Sequence, residues 1–267
     1  MKHAPILSLA LACLAPLPAT AKSPILGLDG INVIGGWRQS DGTHMAAVHI
    51  DLEKGWKTYW RVAGGGGIPP TFDWSGSTNI KSSEIKWPAP QVFDDYDTQT
   101  IGYKDSLILP IVFTAKDPTK PMAIGGMIDF GVCENVCVPV QAKLSEILPP
   151  RVAMGKSQIK AALRTQAKSG AEAGVKLTDC EFAPINDGFK ISANLKSDSS
   201  FSKSAIGIVE YPIGQNDWLQ QQPSTISGYN LTAQATLYAN DVAFIDRSKL
   251  RVTVLQNGKA IEMLGCR

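Results

Sequence analysis

Two cysteines four positions apart, set in alternating apolar residues, constrain this chain more than any other stretch: Phe130-Gly131-Val132-Cys133-Glu134-Asn135-Val136-Cys137-Val138-Pro139. In a continuous strand their Cα atoms would lie roughly 13 Å apart at about 3.3 Å per residue, beyond disulfide reach. If they pair, the chain must turn between them. Ile128, Phe130 and Val132 alternate before the pair, and Val138, Val140 and Leu144 follow it, which fits two strands joined by Glu134, Asn135 and Val136 better than a helix. In that hairpin Cys133 and Cys137 face each other, at the spacing of directly opposed residues. The pair could then open and close with little backbone movement.

The amino terminus reads Lys2, His3, an apolar run from Ile6 to Leu14, two prolines and Ala19-Thr20-Ala21, the layout of a secretory signal. Cleavage is expected after Ala21, and removing 21 of 267 residues leaves 246, a length that suits two domains. A lipoprotein reading of Cys13 is disfavoured because Ala10 stands where such signals usually carry leucine. No later apolar run reaches the roughly 18 residues that span a bilayer, so the expectation is a soluble, exported chain. Cleavage would remove one of five cysteines and leave four, an even number in a compartment where disulfides persist. The formal charge of +2 is spread along the chain without a basic patch, which argues against nucleic acid as a partner.

Residues 24–150 carry strand signals. Val48, Ile50 and Leu52 alternate with Ala47, His49 and Asp51, and Leu107, Leu109, Ile111 and Phe113 alternate again, with Pro and Gly between the runs. Strands without intervening helices predict an antiparallel sandwich. Gly64 to Gly67 lack the Lys-Ser or Lys-Thr of a phosphate loop and read as a permissive surface loop. Phe93 to Asp97 hold two aromatics, Phe93 and Tyr96, with no strand period; they read as a loop packed on the sandwich or as a lid over the cysteine pair.

Residues 151–173 change character. Ile159, Leu163 and Ala167 recur at helical spacing, Ser157 is placed as N-cap and Gly170 as stop, which predicts a short connecting helix. From 174 to 267 the strand pattern returns in Phe189 to Leu195, Leu231 to Leu237, and Leu250 to Val254, the last running into the hairpin signal Asn257-Gly258. The expected fold class is all-β: two tandem immunoglobulin-like antiparallel β-sandwiches joined by a short helix. Cys180 and Cys266 bracket the second sandwich. Joined, they would close a loop worth roughly 4.6 kcal/mol by chain entropy, against about 2 for Cys133 with Cys137. The first is therefore expected to be a structural disulfide, and the second could be reduced with less harm to the fold.

Thiol-disulfide exchange needs an attacking thiolate and a resolving thiol, and Cys133 and Cys137 could supply both. No Lys, Arg or His adjoins them and Glu134 disfavours a thiolate, so any activation must come from residues distant in sequence. On spacing alone a redox-active pair and a purely structural hairpin disulfide stand level. For a metal, His44 and His49 are the only histidines beyond the signal and point to opposite faces of one strand, which disfavours a closed zinc site; two thiolates could still hold copper(I). Neither a Gly-x-Ser-x-Gly elbow nor a His-Glu-x-x-His motif is present. No metal or cofactor is assigned.

The ordered series Gly55-Trp56-Lys57-Thr58-Tyr59-Trp60-Arg61, Ile68-Pro69-Pro70, Trp87-Pro88-Ala89-Pro90, Gly102-Tyr103, Leu109-Pro110 and Gly131 to Pro139 resembles the periplasmic amino-terminal domain of the DsbD and ScsB type of thiol:disulfide interchange proteins, over roughly residues 30 to 150. The second half looks like the further region of the ScsB-like branch. This resemblance implies a periplasmic protein-disulfide reductase type of oxidoreductase. It would take electrons from a membrane-embedded DsbD/ScsB-like donor and pass them to thioredoxin-like or disulfide-bearing targets. Cys133 and Cys137 take the place of the redox pair. The sequence leaves open which of the two is attacked first, and Cys137 is singled out only by the Val138-Pro139 that follows it. Tyr96, and beside it Phe93, are the cap or lid candidates. The Cys-x-x-x-Cys spacing is shorter than in DsbD proper and looks like the ScsB branch. Full-length members continue into transmembrane and thioredoxin-like domains, so a complete chain ending at Arg267 would be a detached shuttle and a partial one a module. The competing classes are a disulfide-stapled envelope interaction module and a copper-handling protein.

Overall fold

The computed structural model describes residues 25–95, 98–151, 153–214, 217–239 and 245–266. The predicted cleavage site and Tyr96 lie outside the described residues.

The first ten strands are β1 (Leu28–Arg38), β2 (His44–Leu52), β3 (Lys57–Gly64), β4 (Thr71–Asp73), β5 (Ile80–Ile85), β6 (Gln91–Asp95), β7 (Thr98–Lys104), β8 (Ser106–Ala115), β9 (Met122–Cys133) and β10 (Cys137–Leu148). They form two sheets, in the orders β1-β2-β8-β5 and β10-β9-β3-β7-β6, with β4 also paired to β9. The alternation read from sequence has a direct cause here. Val48, Ile50, Leu109, Ile111 and Phe113 of one sheet meet Trp60, Ile128, Phe130, Val132 and Val140 of the other in one buried core. Trp74 seats its ring edge-on to Phe113 at 5.3 Å and closes the side of that core.

Two stretches not read as strands are strands, and one of them overlaps the loop expected over Phe93 to Asp97; Gly65 to Gly67 lie outside any strand, as expected. Lys57–Gly64 is β3, in the middle of the larger sheet, and Gln91–Asp95 is its edge strand β6. The period of β3 is hidden by a bulge: Tyr59 pairs with Gly102 but Gly64 with Thr100, five residues against two. The bulge is why Tyr59, Trp60 and Ala63 are all buried.

The connecting segment is shorter in helix than expected. Helix α1 is Lys156–Leu163, with Gly155 in the left-handed region as N-cap rather than Ser157. A two-residue strand β11 (Lys168–Ser169) and a one-turn helix α2 (Gly170–Ala173) follow. Gly170 begins α2 instead of stopping α1, because Ser169 and Glu172 form a reciprocal capping box. Ile159 of α1 is fully buried against Met45 and Ala47 on the outer face of β2, and Met154 N–H donates to the Gly36 carbonyl at 2.7 Å. The connection is thus packed onto the first sandwich.

The remaining strands are β12 (Val175–Ile185), β13 (Gly188–Ser197), β14 (Ile206–Glu210), β15 (Trp218–Ser227), β16 (Asn230–Tyr238), β17 (Arg251–Gln256) and β18 (Lys259–Leu264). Sheets β12-β13-β16-β15 and β11-β18-β17-β14 enclose a second core that includes Ile191, Leu195, Leu231, Leu237, Val252 and Val254. All pairings are antiparallel except the short β11–β18 contact. Asn257 and Gly258 both take positive φ, 50° and 68°, in the two-residue turn between β17 and β18.

Ile208, Leu255 and Ala260 of the second half join the first core rather than the second. Beside this apolar seam Arg61 reaches across to Glu210 and Glu262. An open cleft of about 690 Å³ runs along it, lined by residues of both halves including Trp87, Arg61 and Arg251, and by none of the four cysteines. No helix among the described residues is long and apolar enough to cross a membrane.

Candidate functional site: the hairpin tip of the larger sheet

Strands β9 and β10 pair without a register break from Leu148 with Met122 up to Cys137 with Cys133. The chain reverses through Glu134, Asn135 and Val136, where Glu134 N–H donates to the Val136 carbonyl at 3.1 Å. Cys133 and Cys137 are disulfide-bonded, with Cα atoms 4.2 Å apart. Their surroundings differ: Cys133 is 2 % exposed, whereas Cys137 and the three loop residues lie open to solvent. A thiol partner can therefore approach the bond from the Cys137 side.

Strand β3 brings a lysine and a tyrosine alongside the cysteines. Lys57 is the β3 residue directly opposite Cys133, and Lys104 of β7 is directly opposite Lys57. Opposed residues of a sheet leave it on the same face. Cys137, Cys133, Lys57 and Lys104 thus form one row across four strands. Two residues further along β3, Tyr59 is 4 % exposed and packs with Ala63 and Cys133. Its Oη lies 3.6 Å from Cys137 Sγ, within hydrogen-bonding range for sulfur. Glycine makes room for this ring, since a Cβ on Gly67 would stand 2.6 Å from Tyr59 Cδ1.

Phe93, the described member of the two lid candidates, is half-buried on β6 at the far edge of the same sheet. The Lys57 ammonium lies 5.0 Å from its ring centroid, a cation–π contact that links this edge to the cysteine row. Gly102-Tyr103 and Trp87-Pro88-Ala89-Pro90 meet in one bond, the Tyr103 hydroxyl donating to the Pro88 carbonyl at 2.8 Å. Burial pushes the Tyr103 phenol far above its ordinary range, against the weaker opposing effect of Arg61, so it stays neutral.

His44 and His49 do not converge. His44 is buried, with Nε2–H donating to the Gly35 carbonyl at 2.6 Å, and His49 lies 3.2 Å from the Ser106 hydroxyl. Among the described residues no three His, Cys, Asp or Glu side chains gather as a metal site would need. The second disulfide joins Cys180 to Cys266 within the other core, where they are 2 % and 9 % exposed. Arg247 covers it, donating to the Cys180 carbonyl at 3.1 Å with its guanidinium over the Phe182 ring.

The roles of Lys57, Tyr59 and Arg61 were missed from sequence, although all three lie in the motif series. The signal that finds the first two is the strand register, which brings β3 alongside the cysteine hairpin.

Residues 36–149 match the family model described as thiol:disulfide interchange protein DsbD, N-terminal. No curated protein matches the chain. Among solved structures, the N-terminal periplasmic domain of ScsB from Proteus mirabilis is similar at 21 % identity with a TM-score of 0.61, covering 86 % of this chain and 91 % of that one. At that identity the likeness shows a shared fold, and it extends over both sandwiches. Residues 36–149, which hold the cysteine hairpin and the whole ordered motif series, belong to the amino-terminal domain family of the DsbD type.

Proposed function

We propose that this chain is a periplasmic relay that takes reducing equivalents from a membrane-embedded donor and passes them to disulfide-bearing or thioredoxin-like proteins, using Cys133 and Cys137. Family membership carries the general activity, thiol:disulfide interchange. The observation that supports these two residues is the contrast between the disulfides: one at an open hairpin tip, the other enclosed in a core. A partner thiolate attacks Cys137, the accessible member, and forms a mixed disulfide there. A second partner thiol resolves it and leaves the dithiol, which repeats the exchange on a target. Export through the predicted signal places the exchange in an oxidising compartment.

Thiol trapping with peptide mass spectrometry across a graded glutathione or dithiothreitol series tests this reading. Cys133 and Cys137 are expected to titrate together at a potential well above that of Cys180 and Cys266, with the fold retained. If both pairs resist until the protein unfolds, the relay is wrong and the chain is a disulfide-stapled interaction module.

A further inference from the structure

Attack at Cys137 puts a negative charge on the Cys133 sulfur, and Cys133 is almost fully enclosed. A thiolate in such a place is costly unless a cation or donor faces it. Its sequence neighbours are Val132 and Glu134, which offer neither. The sheet does: Lys57 is directly opposite Cys133 on one side, as Cys137 is on the other. Directly opposed residues have Cβ atoms about 4.5–5.5 Å apart. Lys57 is half-buried, and in the disulfide form its ammonium sits over Phe93 of β6, on the side of β3 away from β9, so it must swing back across the sheet face to meet Cys133. Its four-carbon stem is flexible enough to serve a charge that appears only during exchange.

We propose that Lys57 is the electrostatic partner of the Cys133 thiolate, a role that rests on the relay reading above. In the step concerned, the partner thiolate sulfur bonds to Cys137 Sγ and the Cys133–Cys137 bond breaks. The electron pair stays on Cys133 Sγ, and no proton moves. Lys57 stabilises that leaving thiolate, which lowers the barrier to opening, and holds it ionised for the reverse attack on the mixed disulfide. Other groups border the site. Lys104, exposed in the same row, adds a weaker positive charge. The Tyr59 hydroxyl faces Cys137. Glu134 opposes the thiolate, with its carboxyl turned toward Gly55, where an added Cβ would meet Oε1 at 2.9 Å. Asp105 is engaged by the Gly55 N–H at 2.6 Å.

Cys137→Ser leaves Cys133 as a lone thiol whose ionisation can be followed by ultraviolet thiolate absorbance against pH. Adding Lys57→Gln is expected to lower the thiolate-to-thiol ratio at a given pH about three- to tenfold, with Lys57→Arg restoring most of it. A ratio unchanged by Gln, or lowered equally by Gln and Arg, overturns the proposal. In the intact protein, Lys57→Gln is expected to slow opening by dithiothreitol about two- to threefold, since the rate follows leaving-group ionisation at roughly half order. If the serine variant does not fold, this rate decides alone, and no change overturns the proposal. A disulfide that resists dithiothreitol in parent and variant alike defeats the relay reading instead, while the lone-thiol titration still decides the role of Lys57.

Discussion

Arg61 grips Glu210 with two parallel hydrogen bonds, Nε to Oε1 at 2.8 Å and Nη2 to Oε2 at 2.9 Å, although 149 residues separate them. Nη2 also reaches Glu262 at 2.6 Å, and the guanidinium lies 4.1 Å from the Trp60 ring centroid. Planar bidentate pairing combined with stacking is arginine geometry that lysine cannot reproduce. This one side chain ties the larger sheet of the first sandwich to two strands of the second.

Arg61→Ala should therefore destabilise the protein by about 2–3 kcal/mol and separate the melting of the two halves, seen as a broadened or split transition in calorimetry. The cost falls short of that for a fully stranded buried charge because Arg251 remains 3.9 Å from Glu210 and 3.7 Å from Glu262. Arg61→Lys should recover only part of the loss. An unchanged single transition in Arg61→Ala would show that the apolar seam alone couples the halves.

His44 gives the fold an acid-sensitive point. Burial disfavours the imidazolium, the Gly35 carbonyl partly offsets this, and Arg38 directly across the ladder adds to it, so the native group titrates below its ordinary value. As pH falls below about 6.5, the unfolded chain takes up a proton that the folded chain refuses. Stability is full above that point and declines as pH drops toward the depressed native value. Urea unfolding between pH 7.5 and 5 should show this slope, and His44→Gln, which keeps a donor for Gly35, should flatten it. A slope identical in both proteins would assign it to carboxylates.

Tyr59→Phe keeps the ring over its glycine neighbours and removes only the hydroxyl beside Cys137. A hydrogen bond to the reduced sulfur contributes about 0.5–1.5 kcal/mol. Its loss should move the equilibrium with glutathione toward the disulfide by about two- to tenfold, with thermal stability nearly unchanged. A shift toward the dithiol would mean that the hydroxyl serves the oxidised form instead.

The cysteine hairpin was legible because its signal is local. Ile128, Phe130, Val132 and Val140 alternate with a buried face, and a three-residue link leaves little choice of register. The Asn257-Gly258 turn was legible for the same reason: few residue pairs tolerate two positive φ values. Strand β3 was not, because its bulge breaks the period-two pattern that identifies strands, and with it went Lys57 and Tyr59. Arg61 was hidden by chain separation, since nothing local to it names Glu210 or Glu262. The true start of α2 was readable, as Ser169-x-x-Glu172 is a capping-box pattern, but the helical spacing upstream drew attention to Ser157 and Gly170 instead.

The burial of Ile159 against Met45 and Ala47 sets where this chain can be divided. A fragment ending at residue 150, the boundary that composition suggests, would lose α1 and uncover an apolar strip of Trp37, Met45, Ala47 and Val112 on the outside of the smaller sheet. Such a fragment would keep both cysteines of the hairpin and still tend to self-associate through that strip. Carrying the cut past Gln166 retains the helix together with the Pro88–Gln166 bridge that anchors its far end. The stretch that looks like a tether between two units is thus the outer wall of the first, and whatever lengthens or shortens it edits that wall.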